Sequence, residues 1–504
     1  MTPQNNFNIW RPSGVGVMFQ RPMRNSNAPN STKKWWVMAA VALGVFLSTI
    51  DGSIVNIALP TLARELHAPF AAVQWVVLAY LLVLVTLMMV AGRLADVYGK
   101  KPLFTAGFVV FTLGSLGCGL ASSVVYLVAA RVVQGVGASL LMALGAAIVT
   151  EIFPPHERGK AMGMIGMMVS IGLVSGPTLG GFILSAFSWH VIFFVNLPLG
   201  VIGTALVLAV VPSGAPPERQ PFDLIGALLL FFALLCFLLA ITLGPHASFT
   251  SWWVLALGTV AVIAFIAFVR TELTVEYPLV DLGIFRNSTL ATNVITGSLT
   301  FVASSGLVFL LPFFLQNVQG RSPREAGLLM IIAPLMIGVI SPVSGWLSDR
   351  IGTRPLTALG LGMLVVAYGL LSTLAANTGT LGYISRIVWV GLGMGIFQSP
   401  NNSAIMGSVP RERLGVASGL LSLTRTLGQT MGVALIGASW AALVHRFDAT
   451  RTVSATVAPV GAQLMALRWV ARGISLLLCA ALALALVSWQ GVQRRTPRPG
   501  PKEG

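Results

Sequence analysis

The chain is poor in charged residues. Of its 504 residues only 9% are Asp, Glu, Lys or Arg, whereas a soluble globular domain carries about 25%. Hydrophobic residues make up 56% of the chain, and glycine occurs 53 times. This composition argues against a large soluble enzyme and predicts an all-α integral membrane protein with closely packed helices.

The chain also lacks the residue patterns that common cofactor sites require. Its three cysteines lie within apolar runs, and its five histidines fall in loops or at the ends of apolar segments. Neither set predicts a disulfide framework or a metal site. No glycine-rich stretch has the spacing of a Walker A loop, which argues against ATP as the direct energy source. We therefore expect no cofactor and no enzymatic site.

The basic residues indicate membrane topology rather than nucleic-acid binding. The net charge is +16, but Lys and Arg are scattered through short loops. Fourteen apolar segments approach the length of about 20 residues that a bilayer-crossing helix needs. They begin near Trp35, Ala71, Leu103, Tyr126, Ala161, Val191, Leu224, Trp253, Thr292, Ala326, Leu356, Leu381, Val416 and Val470.

An even number of spans places both termini on the same side of the membrane. The basic loops concentrate on that side, which predicts that it is cytoplasmic. Boundaries are least distinct near Arg386 and Arg468, and the longest external loop is predicted at 444–467. Without a targeting signal, short loops of this kind predict the inner membrane of a bacterium.

Two loops carry copies of one sequence. Residues 92–103 (GRLADVYGKKPL) match residues 345–356 (GWLSDRIGTRPL) at Gly, Leu, Asp, Gly, a basic residue, Pro and Leu. Further matches at a constant offset link the glycines of 135–137 with 391–393, and those of 172–176 with 428–432. Internal repeats of this kind are typical of transporters whose substrate site lies between two halves.

The repeat predicts the domain organisation. Spans 1–6 and 9–14 form two related six-helix bundles at 35–212 and 286–490, with a linker and two inserted helices at 213–285. Residues 1–34 and 491–504 are predicted to be cytoplasmic tails, the first of them disordered because it is polar and without apolar periodicity.

One carboxylate lies deep in an apolar span. Asp51 is about 24 Å into the first span at 1.5 Å per residue, and Arg131 is about 8–10 Å from the outer end of the fourth. Both positions lie in the outer third of the membrane, so a bridge between them is predicted. A charge at this depth is costly and marks a functional site by default. The alternative is a carboxylate that only packs helices together.

These segments resemble the major facilitator superfamily, in its fourteen-span drug:proton antiporter branch. The matching sequences are residues 47–60 (LSTIDGSIVNIALP), 131–137 (RVVQGVG), 172–181 (GLVSGPTLGG) and 189–198 (WHVIFFVNLP), together with the repeated loop. The branch usually has Arg where this chain has His190. The resemblance covers roughly residues 35–490 and implies a central cavity lined by the first and fourth helices.

The resemblance and the residues together predict a proton-coupling site at Asp51 and Arg131. Water access and the distance to Arg131 would both change how strongly Asp51 holds a proton. A cationic substrate near Asp51 would compete directly with that proton. Gln134 lies one helical turn from Arg131 and is either a cavity hydrogen-bonding group or an interhelical contact.

Further residues are candidates for gating and substrate contact. Charged residues of the repeated loops could latch the two halves at the cytoplasmic face, and Gly176 and Pro177 are either a hinge or a close helix contact. Arg425, mid-span in the thirteenth segment, is a gating or a structural residue. The latch candidates are Arg93, Asp96, Lys101, Asp349 and Arg354, and the cavity candidates are Gln134, Asn293, Phe397, Gln398 and Asn402.

The leading functional hypothesis is export of hydrophobic or cationic compounds by proton antiport through alternating access. The expected partners are a small-molecule substrate, protons and the lipid bilayer, with no nucleic acid. Two alternatives stay open: a dedicated exporter of one metabolite or antibiotic, and a membrane sensor that keeps the fold without transport. Efflux from energised and energy-depleted cells, with a panel of substrates, separates the three.

Overall fold

The computed structural model describes residues 31–154, 157–212, 223–248, 250–275, 283, 287–409, 414–449, 452 and 454–495. Within these ranges the chain is helical and contains no strand. Fourteen helical segments of this described part are long and apolar enough to cross a membrane, which confirms the predicted fold class. The two predicted tails and the linker lie largely outside the described residues.

The helices follow one another with short connections. Their bounds are α1 Ser31–Glu65, α2 Phe70–Tyr98, α3 Lys100–Gly119, α4 Val124–Ile152, α5 Arg158–Ala186, α6 Val191–Phe194, α7 Asn196–Val210, α8 Leu224–Ala247, α9 Trp252–Thr274, α10 Ser288–Phe313, α11 Pro323–Met330, α12 Ile332–Ile351, α13 Thr353–Leu371, α14 Thr380–Gly407, α15 Leu414–Phe447 and α16 Val460–Arg495. A π-helical turn, Phe314–Val318, extends α10.

Two spans consist of two helices each because a proline interrupts them. The residue four positions before Pro198 is Phe194, where α6 ends. The residue four positions before Pro334 is Met330, where α11 ends. Proline has no N–H to donate to that carbonyl, and its ring clashes with it, so the helix stops there. These breaks were not among the predictions from sequence.

The internal repeat is visible in matching helix contacts. A side chain at Gly137 of α4 would strike the backbone of Phe111 on α3, and one at Gly393 of α14 would lie 3.0 Å from the backbone of Leu364 on α13. A side chain at Gly432 of α15 would strike the carbonyl of Val302 on α10, as one at Gly176 of α5 would strike Ser53 on α1. Glycines at matching positions of the repeat therefore permit matching close helix contacts in both bundles.

The repeated loops share one backbone conformation. Gly99, between α2 and α3, has φ of 86°, and Gly352, between α12 and α13, has φ of 90°. Residues with a Cβ rarely adopt such angles, so glycine at this position permits the turn between two antiparallel helices.

The inserted helices α8 and α9 pack on each other, and α8 also contacts α2 and α15. At the contact with the first bundle, the indole Nε1 of Trp75 donates to Thr242 Oγ1 at 3.1 Å. The inserted pair therefore lies against one helix from each bundle.

The two bundles meet at the end of the molecule where α5 finishes and α11 begins, here called the closed end. Gly327 of α11 packs directly on the carbonyl of Pro177. Gln74 of α2 donates to Val433 O and Ala434 O of α15 at 2.6 and 3.3 Å. A cluster of aromatic rings fills the space between these helices; it consists of Phe70, Phe309, Phe313 and Trp440.

The predicted external loop at 444–467 is shorter than expected. Helix α15 continues to Phe447, and α16 already begins at Val460. Arg468 therefore lies inside a helix, where its Nε donates to Leu374 O at 2.7 Å. Because this hydrogen bond satisfies the guanidinium, the charge does not end the helix as the sequence pattern had indicated.

Candidate functional site

A cluster of polar side chains lies inside the first bundle, around Asp51. The Asp51 side chain is 0% exposed in the middle of α1. Its neighbours Thr49 and Ser53 face α5, where they meet glycines. The carboxylate is directed instead towards α4 and α7, as its hydrogen bonds show.

Arg131 of α4 forms the predicted bridge to Asp51. Its Nη1 donates to Asp51 Oδ2 and, at 2.6 Å, to Gln134 Oε1. Its Nε donates to Val76 O at 3.0 Å, and the guanidinium lies over the ring of Tyr80 with its carbon 4.1 Å from the ring centroid. The arginine is therefore held from several directions, which defines its orientation towards the carboxylate.

Gln134 and Asn196 donate to the other carboxylate oxygen. Gln134 Nε2 lies 2.8 Å and Asn196 Nδ2 lies 2.9 Å from Asp51 Oδ1. The same two nitrogens also donate to Ser115 Oγ, at 2.6 and 2.9 Å. Asp51 thus accepts from three N–H groups on two helices, an arrangement that suits an ionised carboxylate.

Asn196 reaches this cluster because of the break in the sixth span. It is the first residue of α7, directly after the interruption that Pro198 imposes. It is 2% exposed and is the one amide side chain of the mostly apolar helix α7. Sequence reasoning quoted Asn196 within a motif but gave it no role, although a single amide in an apolar span was a signal.

Ser115 carried no such signal. It is one of several small hydroxyl residues of α3, together with Thr105 and Thr112, whose hydroxyls bond to carbonyls of their own helix. Only the packing of α3 against α4 and α7 places Ser115 beside the two amides. Its contribution could be found only from the three-dimensional structure.

Two more side chains complete the surroundings. The thiol of Cys118 donates to Gln134 Oε1 at 3.5 Å, and the hydroxyl of Tyr80 donates to Ser48 O at 2.8 Å. Arg131 Nη2 has no hydrogen-bond partner among the described residues. The cluster therefore holds one negative and one positive side chain, both 0% exposed, and removing either leaves the other charge buried and uncompensated.

The predicted cavity residues of the second bundle do not join this cluster. Asn293 is half-buried and donates to Thr289 O of its own helix at 2.7 Å. Phe397 is 1% exposed and packs on Gly360 of α13. The other two predicted cavity residues, Gln398 and Asn402, are half-buried in α14.

The predicted latch residues are not joined across the bundles. Lys101 Nζ donates to Leu208 O at the end of α7, at 3.0 Å, within its own bundle. Asp349 is exposed and Arg354 half-buried, and no ion pair involves them among the described residues. The side chains of Arg93 and Asp96 lie outside the described residues.

The remaining candidates lie in helices at two different places. Gly176 packs on Ser53 of α1, which is a contact within the first bundle. The carbonyl of Pro177 packs on Gly327 of α11, which is a contact between the two bundles. Arg425 is half-buried within α15 and forms no hydrogen bond or ion pair with a described residue.

The sequence matches a known family over most of its length. The family model described as "Major Facilitator Superfamily" matches residues 41–433. The riboflavin transporter RibZ of Clostridioides difficile (strain 630) is 36% identical over 81% of this chain and 89% of its own length. The multidrug resistance protein Stp of Mycobacterium tuberculosis (strain CDC 1551 / Oshkosh) is 36% identical over 80% of this chain and 75% of its own length.

Solved structures share the fold. A bacterial homolog of the human lysosomal transporter Spinster, in an inward-facing and unoccupied conformation, aligns with a TM-score of 0.67 at 16% identity. The alignment covers 94% of this chain and 100% of the other. At this identity the likeness concerns the fold alone.

Proposed function

Because the chain belongs to the Major Facilitator Superfamily, we propose that it exports hydrophobic or cationic compounds across a membrane in exchange for protons. The observation that carries the proposal is the buried ion pair between Asp51 and Arg131, in spans that otherwise hold almost no charge. An ionisable pair at this depth is costly, and its use in proton movement explains its presence.

Proton exchange at Asp51 would act on transport through the helix that carries it. Since Asp51 is 0% exposed, a substrate does not contact it in this conformation. We therefore propose that conformational linkage couples proton and substrate here. Direct competition at Asp51, as the sequence predicts, would need a conformation in which the carboxyl is exposed. Ligands that favour different conformations exclude each other without sharing a site.

The linkage has a physical route along α1. One face of this helix carries Asp51, and another packs through Ser53 on Gly176 of α5. Helix α5 in turn packs through Pro177 on Gly327 of α11, at the closed end. A change in how α1 sits in its bundle would therefore alter the contact that joins the two bundles.

A second candidate is transport of one particular compound. It is favoured by the name of a relative of similar identity, a riboflavin transporter, beside relatives named for multidrug resistance. Accumulation assays with ethidium, riboflavin and a panel of planar aromatic antibiotics separate the two, because a dedicated transporter moves one of them and a multidrug exporter several. Transport of none would favour a sensor.

We further propose that the protein lies in the inner membrane of a bacterium with both termini cytoplasmic. The support is the concentration of Lys and Arg in the loops on the side of the termini. In that orientation the closed end, formed by the ends of α5 and α15 and the starts of α2 and α11, faces outwards.

The test is ethidium efflux from cells that express wild type or Asp51→Asn, with and without an uncoupler. We expect the variant to fall to the level of cells without the protein, because an amide cannot exchange the proton. Glu65→Gln, an exposed acid on the same helix, is the matched control and should keep full efflux. Full uncoupler-sensitive efflux by Asp51→Asn would refute the coupling role.

A further inference from the structure

Four buried side chains are joined by hydrogen bonds around Asp51. Two acceptors, Asp51 Oδ1 and Ser115 Oγ, each receive N–H bonds from the same two amides, those of Gln134 and Asn196. All four side chains are at most 2% exposed. Every partner of Asp51 is thus a donor, so a proton added to the carboxyl would find no acceptor in the present arrangement.

The two amides differ in their freedom to supply that acceptor. The oxygen of Gln134 already accepts from Arg131 Nη1 at 2.6 Å and from the thiol of Cys118 at 3.5 Å. The oxygen of Asn196 accepts no hydrogen bond from a described residue. Rotating the Asn196 amide by half a turn therefore breaks no bond to its oxygen, whereas rotating Gln134 would remove a partner from Arg131.

We propose that Asn196 is a positioning residue that senses the protonation of Asp51 by rotating its side-chain amide. With Asp51 ionised, Asn196 donates to the carboxylate and to Ser115, as observed. With Asp51 protonated, the rotated amide oxygen accepts from the carboxyl O–H and from the Ser115 hydroxyl, while Gln134 keeps both of its N–H bonds. The inference rests on the proposed role of Asp51 as the proton carrier.

The rotation requires no change at Arg131, whose hydrogen bonds go to Asp51 Oδ2, Gln134 and Val76. In the observed state the Ser115 hydroxyl hydrogen has no acceptor among the described residues, and in the rotated state it gains one. Protonation turns Asp51 Oδ1 from an acceptor into a donor, and the rotated amide oxygen supplies the acceptor that this O–H and the Ser115 hydroxyl need. The Asn196 N–H groups then turn to the side on which its oxygen accepts no bond from a described residue. The sixth span, through Asn196, would thus respond to the proton on the first.

Other ionisable groups near Asp51 are few. Arg131 faces it from α4, Tyr80 from α2 and Cys118 from α3. Helices α7 and α10 carry no ionisable side chain, and α5 carries them only in its first turn. None of these neighbours is a carboxyl group. A carboxyl band that disappears in Asp51→Asn can therefore be assigned to Asp51.

The test is an infrared pH titration of the reconstituted protein with asparagine labelled at its side-chain carbonyl. Wild type should show the Asp51 carboxyl band, identified by its loss in Asp51→Asn, and an asparagine amide change that titrates with it. In Asn196→Leu and in the smaller change Asn196→Ser, the amide change should vanish. The Asp51 carboxyl band should remain in both variants, because Arg131 and Gln134 still hold the side chain.

The control is Thr204→Val, which removes a polar group of the same helix that bonds only to Gly200 O. It should leave both signals unchanged. A wild-type Asp51 band that titrates without any asparagine change, or an asparagine change that persists in Asn196→Ser, would overturn the inference. Coupled signals without proton-driven ethidium efflux would instead leave the inference standing and refute the proposed function.

Discussion

At the scale of single residues, Arg131 holds the site together. It is the one cation that contacts Asp51 in the described structure, and it also bonds to Gln134 and to the backbone of α2 at Val76. Burying such a pair is expensive, but removing one partner is worse because a lone charge stays buried. Arg425, buried to a lesser degree and without a described partner, offers a comparison.

We therefore expect Arg131→Ala to destabilise the folded protein by about 3–5 kcal/mol. Arg425→Ala should cost less, because no described ion pair or hydrogen bond is lost. Thermal unfolding of each variant in detergent measures the difference, as the shift of the unfolding midpoint from that of wild type. Equal losses in the two variants would show that the pair with Asp51 contributes nothing particular to stability.

At the scale of elements, α1 and α5 form a close helix contact beside the site. Gly172, Gly176 and Gly180 lie on one face of α5, four residues apart, and meet Thr49, Ser53 and Ile57 of α1. A methyl group at Gly176 would collide with the hydroxyl of Ser53, whereas Gly166 on the same helix has nothing within 4 Å of the corresponding position. This contact is the first step of the proposed route from Asp51 to the closed end.

Gly176→Ala should therefore cost about 1–3 kcal/mol of stability, as overpacking does in a close-packed interior. Gly166→Ala should be neutral or slightly stabilising, since alanine favours helix. Adding Ser53→Ala to Gly176→Ala should recover part of the loss, because the nearest atom is then the Cβ at 2.8 Å. The absence of any recovery in thermal unfolding would place the strain elsewhere.

At the scale of the whole molecule, the described contacts between the bundles concentrate at the closed end. Besides the α5–α11 contact, Gln316 donates to Ile57 O at 2.9 Å, and Gln74 reaches α15. At the opposite end the ion pairs of Lys34 with Glu157 and Lys100 with Glu151 stay within the first bundle. Under the proposed function, contacts at one end alone suit one of the two states that alternating access requires.

We expect Gly327→Ala to open the closed end, because its methyl group would strike the carbonyl of Pro177. Spin labels at the exposed positions Phe187 and Leu381, one per bundle, should show a larger share of long distances. Gly338→Ala, a position on α12 with nothing within 4 Å, should leave the distribution unchanged. An unaltered distribution in Gly327→Ala would mean that this contact does not hold the closed end.

Much of the fold follows from properties that run along the chain. Apolar length predicted fourteen spans, and a constant spacing between glycines predicted two related bundles; both agree with the structure. The bridge between Asp51 and Arg131 was predicted from the depth of each residue in the membrane, because the ends of a span lie at the two membrane surfaces. The start of α16 was misplaced since a satisfied Arg468 does not interrupt a helix.

The composition of the site beyond that pair depended on tertiary packing. Whether Ser115 and Asn196 meet Asp51 depends on how α3 and α7 rotate about their axes and lie against α1, which no local pattern specifies. The same holds for the enclosure of Asp51 and for the closed end, since both arise between segments distant in sequence. Sequence alone thus determined where the membrane-crossing helices and the buried charges lie along the chain, and tertiary structure decided which side chains surround those charges.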